Sequence, residues 1–140
     1  MPEVLRVIAG LGRAGPATYG GGLRRAEVPA SMAAIDIGVV AVRRSIAEDV
    51  VLSTKIMEYM IMGKPVIASR RPILEQYLDR DSLVYFEDGN VQELSEKILE
   101  LWRNPARRAQ VVAGADAFLH RHPWEELKRD YVGMFRDLCV

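Results

Sequence analysis

The chain has 140 residues, 49% of them hydrophobic, and its 19 Lys plus Arg are balanced by 19 Asp plus Glu. That length suits one domain with a real core and excludes two of ordinary size. The charge balance leaves no net field to draw nucleic acid or an anionic membrane, so any anion site must be local.

The single cysteine, Cys139, has no partner in the chain. It excludes an internal disulfide or a cysteine metal cluster and fits a reducing compartment. No apolar run approaches the ~20 residues of a membrane span, and Pro2 and Glu3 break the charged-then-apolar shape of a signal peptide. A cytoplasmic protein is the expectation.

In chain order, "VLRVIAG" (4–10) is β-branched and ends in glycine, which predicts a strand running into a turn. The glycine-rich "GLGRAGPATYGGG" (10–22) resists both helix and packed strand and reads as a loop. "EVPASMAAI" (27–35) predicts a short helix with Pro29 near its start, and "DIGVVAV" (36–42) a buried strand. After the polar "RRSIAEDVVL", a helix begins near Ser53 or Thr54, either of which can cap it, and stops at Gly63.

"PVIAS" (65–69) predicts a strand, "RPILEQYLDR" a helix with Pro72 in its first turn, and "SLVYF" (82–86) a further strand. "VQELSEKILELWR" (91–103) repeats apolar residues at 91, 94, 98, 101 and 102, which predicts one helical face. Two more helices start at Asn104–Pro105 and at Pro123, and Trp102 and Trp124 read as core anchors. Strands separated by helices imply a parallel sheet covered on both faces. The expected fold is α/β, a Rossmann-like parallel sheet of about four strands flanked by helices with a helical C-terminal tail. Ligands of such sheets sit beyond the carboxyl ends of the strands, which directs attention to the loops after Gly10, Val42, Ser69 and Phe86.

The helix from residue 53 carries Lys55 and Glu58 in an otherwise apolar run. On a helical wheel these two share a narrow stripe with Met62, opposite a broad apolar face of Ile56, Met57, Met60 and Ile61. With Tyr59 on its flank, the stripe is expected at the edge of a crevice by the helix start. One reading is a surface ion pair three residues apart, worth about 0.2–0.5 kcal/mol. The other is a ligand site. Free N–H groups at a helix start suit phosphate, Lys55 adds a full charge, and a carboxylate one turn in accepts hydrogen bonds from a diol, which together meet the needs of a nucleotide.

"DIGVVAVRRS", "LSTKIMEYMIMGKPVIAS", "LVYFEDGNVQELSEKILELWRNPARR" and "FLHRHPWEELKRDY" resemble, in that order and spacing, the C-terminal domain of retaining glycosyltransferases of the GT-B fold. The likeness is to the group that builds bacterial envelope polysaccharide from nucleotide sugars. It divides a single domain, 1–140, into a degenerate strand and glycine loop (1–27) and a nucleotide-sugar-binding region (28–138). It implies a hexosyl transfer from a UDP-, GDP- or ADP-sugar to a saccharide or lipid-linked acceptor, with no cofactor and no metal. Glu58 would contact the ribose hydroxyls, Lys55 and the backbone of Ser53 and Thr54 the diphosphate, and no catalytic residue is assigned. The alternative is a non-catalytic α/β remnant that binds a partner.

The chain departs from the family pattern where many members place a second glutamate, since that position is Val50; Glu48 and Asp49 are nearby substitutes. The family's upstream Arg and Lys and its N-terminal acceptor domain are not recognisable, and Arg13 is the only basic residue of the glycine loop. Either a missing N-terminal domain or self-association through an exposed strand edge is expected. Expected partners are a nucleotide-sugar donor, no nucleic acid and at most peripheral membrane contact.

"GLGRAG" (10–15) matches a dinucleotide fingerprint, but Pro16 and Gly20 to Gly22 follow where a helix should. His120 and His122 fit a helix end better than catalysis, and Ser45, Ser69 and Asp88 fit turn chemistry, Asp88 with a donor contact as its alternative.

Overall fold

A computed structural model describes residues 21–43 and 51–138. Two compact units divide the chain, Met1–Ser31 and Met32–Val140. In the first, a 3-10 turn at Arg25–Glu27 is closed by Glu27, whose Oε2 accepts from Arg24 N at 2.9 Å while its own N donates to Arg24 O at 2.8 Å. The expected strand at 4–10, Arg13 and the "GLGRAG" loop lie outside the described residues, as do Ser45, Glu48, Asp49 and Val50.

The elements that follow are α1 (Val28–Ala33), β1 (Gly38–Val40), α2 (Thr54–Ile61), β2 (Val66–Ser69), α3 (Pro72–Tyr77), β3 (Val84–Phe86), α4 (Val91–Arg103), α5 (Pro105–Arg121) and α6 (Trp124–Leu138). The three strands pair in parallel in the order β1-β2-β3, with Val40 opposite Ala68 and Ser69 opposite Phe86. The fold is therefore an α/β, Rossmann-like parallel sheet flanked by helices. Three strands pair among the described residues, where about four were expected.

β2 is buried along its whole length because it is the central strand and is covered on both faces. On one face Val66 and Ala68 meet Ile56 and Met60 of α2, Leu74 of α3, and Ala115 and Phe118 of α5. On the other, Ile67 packs with Val84, Phe86, Leu101 of α4 and Val111 of α5. The alternation of neighbours along the strand sends successive side chains to opposite layers. The result is a sheet held between α2 and α3 on one side and α4 on the other.

Local chemistry accounts for the element ends. α2 stops in a Schellman motif, with Gly63 N bonded to Met60 O and Lys64 N to Tyr59 O, both at 2.9 Å, and Gly63 at φ 64. Lys64 Nζ then caps α1 by donating to Ala33 O at 2.7 Å. Asn90 and Asn104 each accept a backbone N–H three residues on, from Glu93 and Arg107, and so start α4 and α5. Gly38 faces the Tyr59 ring, and a β-carbon there would lie 2.7 Å from it.

Several expected core positions are solvent-facing. Trp102 is 65% exposed and Trp124 is 69% exposed, so neither anchors the core. In α4 the covered stripe is narrow, Leu94 and Leu101 seven residues apart against the sheet, and Trp102 turns away from it by about 100°. Trp124, Leu127, Tyr131, Met134, Phe135 and Leu138 form an exposed apolar stripe along α6, with Tyr131 and Phe135 edge to face at 5.0 Å. Ile61, expected on the apolar face of α2, is 68% exposed because the core covers that helix along Ile56 and Met60, with Met57 and Tyr59 packed at its edge.

Candidate functional site

The carboxyl ends of β1 and β2 and the start of α2 enclose a cavity lined by Val40, Val42, Val51, Ser53, Ile56, Ser69, Arg71 and Leu74. It measures about 20 Å³, room for one water and far short of a nucleotide. A ligand of any size must therefore lie over it rather than within it.

Ser69 closes the floor. Its buried hydroxyl accepts from Val42 N at 2.8 Å and lies 3.0 Å from Val42 O. The turn chemistry expected of Ser69 is thus a tie across the sheet from the end of β2 to the residue leaving β1.

The four residues singled out from the sequence are all on or before the first turn of α2 and the next. Ser53 is the N-cap residue, half-buried and part of the cavity lining, but its hydroxyl makes no cap hydrogen bond. Ile56 N donates to Ser53 O at 3.1 Å, and the Ser53 side chain leaves the N–H groups of Thr54 and Lys55 uncapped. Thr54, Lys55 and Glu58 are exposed. Neither Lys55 nor Glu58 is among the residues lining that cavity. Among the described residues these two charges form no ion pair with each other or with any neighbour, which removes the surface-pair reading.

Two arginines after β2 meet two carboxylates after β3. Parallel register brings this about, because Ser69 stands opposite Phe86 and the next residues are Arg70 and Arg71 on one strand, Glu87 and Asp88 on the other. Arg70 points outward, ion-paired with Glu75 and, at 2.6 Å, with Glu87, its guanidinium 5.1 Å from the Tyr85 ring centroid. The hydrogen bond to Glu75, followed by that to Glu87, holds its pKa above the ordinary arginine value. Burial pushes the Tyr85 phenol up to about 12, with the nearby Glu75 charge adding to it.

Arg71 points inward. Its side chain is only 5% exposed, its guanidinium donates to Val42 O, and Nη2 lies 3.5 Å from Asp88 Oδ2. Arg71 escaped the reading of the sequence. The signal was there in two dipeptides of opposite charge, "RR" and "ED", each following a strand.

His120 Nδ1 lies 2.8 Å from Asp116 O at the end of α5, and His122 packs on Phe118 at 4.7 Å. Asp88 sits in the turn after β3, where Gly89 adopts φ 75. No cluster of metal-ligating side chains occurs among the described residues.

A parallel sheet flanked by helices, with its polar groups gathered beyond the strand ends, defines a Rossmann-like α/β domain. Residues 3–131 match the family model described as glycosyl transferase-like, and the chain belongs to that family. Its fold matches Alr3699/HepE of Anabaena, solved in complex with UDP and glucose, with a TM-score of 0.78 at 19% identity, over 96% of this chain and 36% of that one. The same protein in complex with UDP-glucose superposes with the same score. The C-terminal domain of the glycosyl transferase group 1 family protein LpcC of Francisella tularensis matches at 0.69 and 17% identity, over 85% of this chain and 60% of that one. The chain thus spans about a third of the HepE chain, and its fold is that of a glycosyltransferase C-terminal domain. No curated protein matches the sequence.

Proposed function

We propose that this chain is the nucleotide-sugar-binding part of a hexosyltransferase of the envelope-polysaccharide type. In this reading Glu58 accepts hydrogen bonds from the ribose diol, while Lys55 and the backbone of Ser53 and Thr54 meet the diphosphate. One observation carries the proposal. The Ser53 side chain does not cap the start of α2, which lies beside the strand-end cavity, and among the described residues the exposed Lys55 and Glu58 form no ion pair. A merely structural pair of charges gains little from standing apart on a solvated helix, whereas a donor site needs both free.

The donor class is a nucleoside diphosphate sugar, and UDP is the first candidate because HepE is solved with UDP and with UDP-glucose. Neither metal nor cofactor takes part: the helix start and Lys55 carry the charge stabilisation of the departing diphosphate. The acceptor is held by a further domain or a second chain, and a cytoplasmic site fits the supply of nucleotide sugars.

Calorimetric titration with UDP, GDP and ADP tests the reading. At least one binds at millimolar concentration or below, and Glu58→Ala weakens it about tenfold, the loss of one charge-assisted hydrogen-bonded contact. Binding of none of the three removes the donor reading and leaves the alternative, an α/β module that works by holding a partner.

A further inference from the structure

We propose that Arg71 supplies the buried cation of an anion site at the start of α2, its Nε–H donating to one phosphate oxygen seated in the strand-end cavity. That this oxygen belongs to the donor's diphosphate rests on the function proposed above; the anion site itself does not.

The case begins with a donor left over. The Arg71 side chain is 5% exposed, and its guanidinium donates to Val42 O. The Asp88 carboxylate stands 3.5 Å from Nη2, beyond the usual range of such a hydrogen bond. Nε is buried and has no acceptor among the described residues. A buried N–H without an acceptor costs free energy, and more so on a charged group set among hydrocarbon. Val40, Val42, Ile56 and Leu74 supply that hydrocarbon around the cavity that Arg71 lines. The guanidinium thus carries one donor more than its protein partners match.

The cavity indicates what matches it. Ser53 lines the same space and is the N-cap of α2, yet its side chain makes no hydrogen bond to the helix start. The N–H groups of Thr54 and Lys55 are therefore left to an outside acceptor, with the positive end of the helix dipole behind them. The Ser69 hydroxyl is committed to the backbone of Val42. What remains is a set of N–H donors and a full positive charge, the chemistry that selects an anion. At about 20 Å³ the cavity admits one oxygen-sized group. A tetrahedral phosphate meets that limit by placing one oxygen inside and keeping the others over the helix start, beside the exposed Lys55.

The wild-type chain gives the first test, an NMR titration with inorganic pyrophosphate. The Arg71 Nε–H resonance, assigned through its side-chain correlations, shifts in a saturable way, and the Thr54 and Lys55 amides titrate with the same midpoint. An Nε–H that stays in place while those amides move overturns the proposal, since the anion then binds the helix start without Arg71. Shifts that do not saturate, an adventitious ion only, overturn it as well.

The second test compares variants. Arg71→Met lowers pyrophosphate affinity about tenfold, the loss of one charge-assisted hydrogen bond, and Arg71→Lys, which keeps the charge and loses the fork, restores part of it. A role confined to holding Val42 predicts wild-type affinity in whichever variant folds; if neither folds, the wild-type titration decides. UDP separates this site from the donor reading. Pyrophosphate binding without UDP binding keeps the anion site and removes the donor. UDP binding that Arg71→Met leaves untouched keeps the donor and removes Arg71 from its site. Binding of neither compound overturns both.

Discussion

Gly114 lies inside α5, where alanine normally improves a helix by up to ~1 kcal/mol. Here a β-carbon would stand 2.2 Å from Asp81 O, a backbone atom that cannot swing aside. Ser82, which approaches the same turn of α5 through its hydroxyl and Gly114 O at 3.4 Å, would move with it. Gly114→Ala should therefore destabilise the fold by about 1–3 kcal/mol despite the better propensity. Urea unfolding would show a lower midpoint at constant slope, and an unchanged or higher midpoint would disprove the close approach.

Tyr85 supplies a prediction in pH. Its ordinary pKa of 10.0 is raised to about 12 by burial, so between those values the unfolded chain ionises first and the folded chain keeps its proton. Stability is whole below about pH 10 and falls as pH rises toward 12. Tyr85→Phe should flatten that part of the stability-pH curve relative to the wild type, and two parallel curves would show that the phenol is not held neutral.

These positions mark where residue-level reading of the sequence stops. Gly63 was legible because a helix C-terminus places its demand on the chain locally, in a left-handed backbone next to the last turn. Gly38, Gly114 and Arg71 answer to Tyr59, Asp81 and Val42, residues brought near only by the completed fold. Lys55 and Glu58 were conspicuous in sequence, yet that they form no ion pair among the described residues is a property of the surface around them.

Among the elements, helix caps carry energy that can be measured one at a time. Asn104 ends α4 and begins α5, its side chain accepting from Arg107 N at 2.9 Å, with Pro105 at the first helical position. Asn104→Ala should cost about 1 kcal/mol, and thermal denaturation would read it as a shift of several degrees for a domain this small. Restoration by Asn104→Asp or Asn104→Ser separates the cap from packing, and no loss with alanine would contradict it.

The order of strands and helices was legible because apolar runs bounded by Gly and Pro alternate with helical periods, and α4 spans the residues its periodicity marks. Strand lengths were overread: "DIGVVAV" yields only Gly38–Val40 as paired strand, since pairing ends where Ser69 and Arg71 take over the Val42 backbone. Helical periodicity identifies an apolar stripe without saying whether anything covers it. The stripe of α6, like the far side of α4, is apolar and exposed, and that is why both tryptophans were assigned to a core they do not enter.

At the scale of the molecule, family and fold agree on a glycosyltransferase C-terminal domain, while the span is about a third of the HepE chain. No helix among the described residues is long and apolar enough to cross a membrane. Under the proposed function, this domain holds a donor, and positioning a donor is a large part of what transfer asks of it. The central claim is thus a place on the surface: the start of α2 beyond the strand ends. An amide-resolved NMR titration with UDP tests it most directly. The expected result is saturable shifts centred on Ser53 to Glu58, extending to Val42 and Asp88, and weakened by Glu58→Ala. Shifts centred elsewhere, such as along α6, or saturable binding indifferent to Glu58, would contradict it.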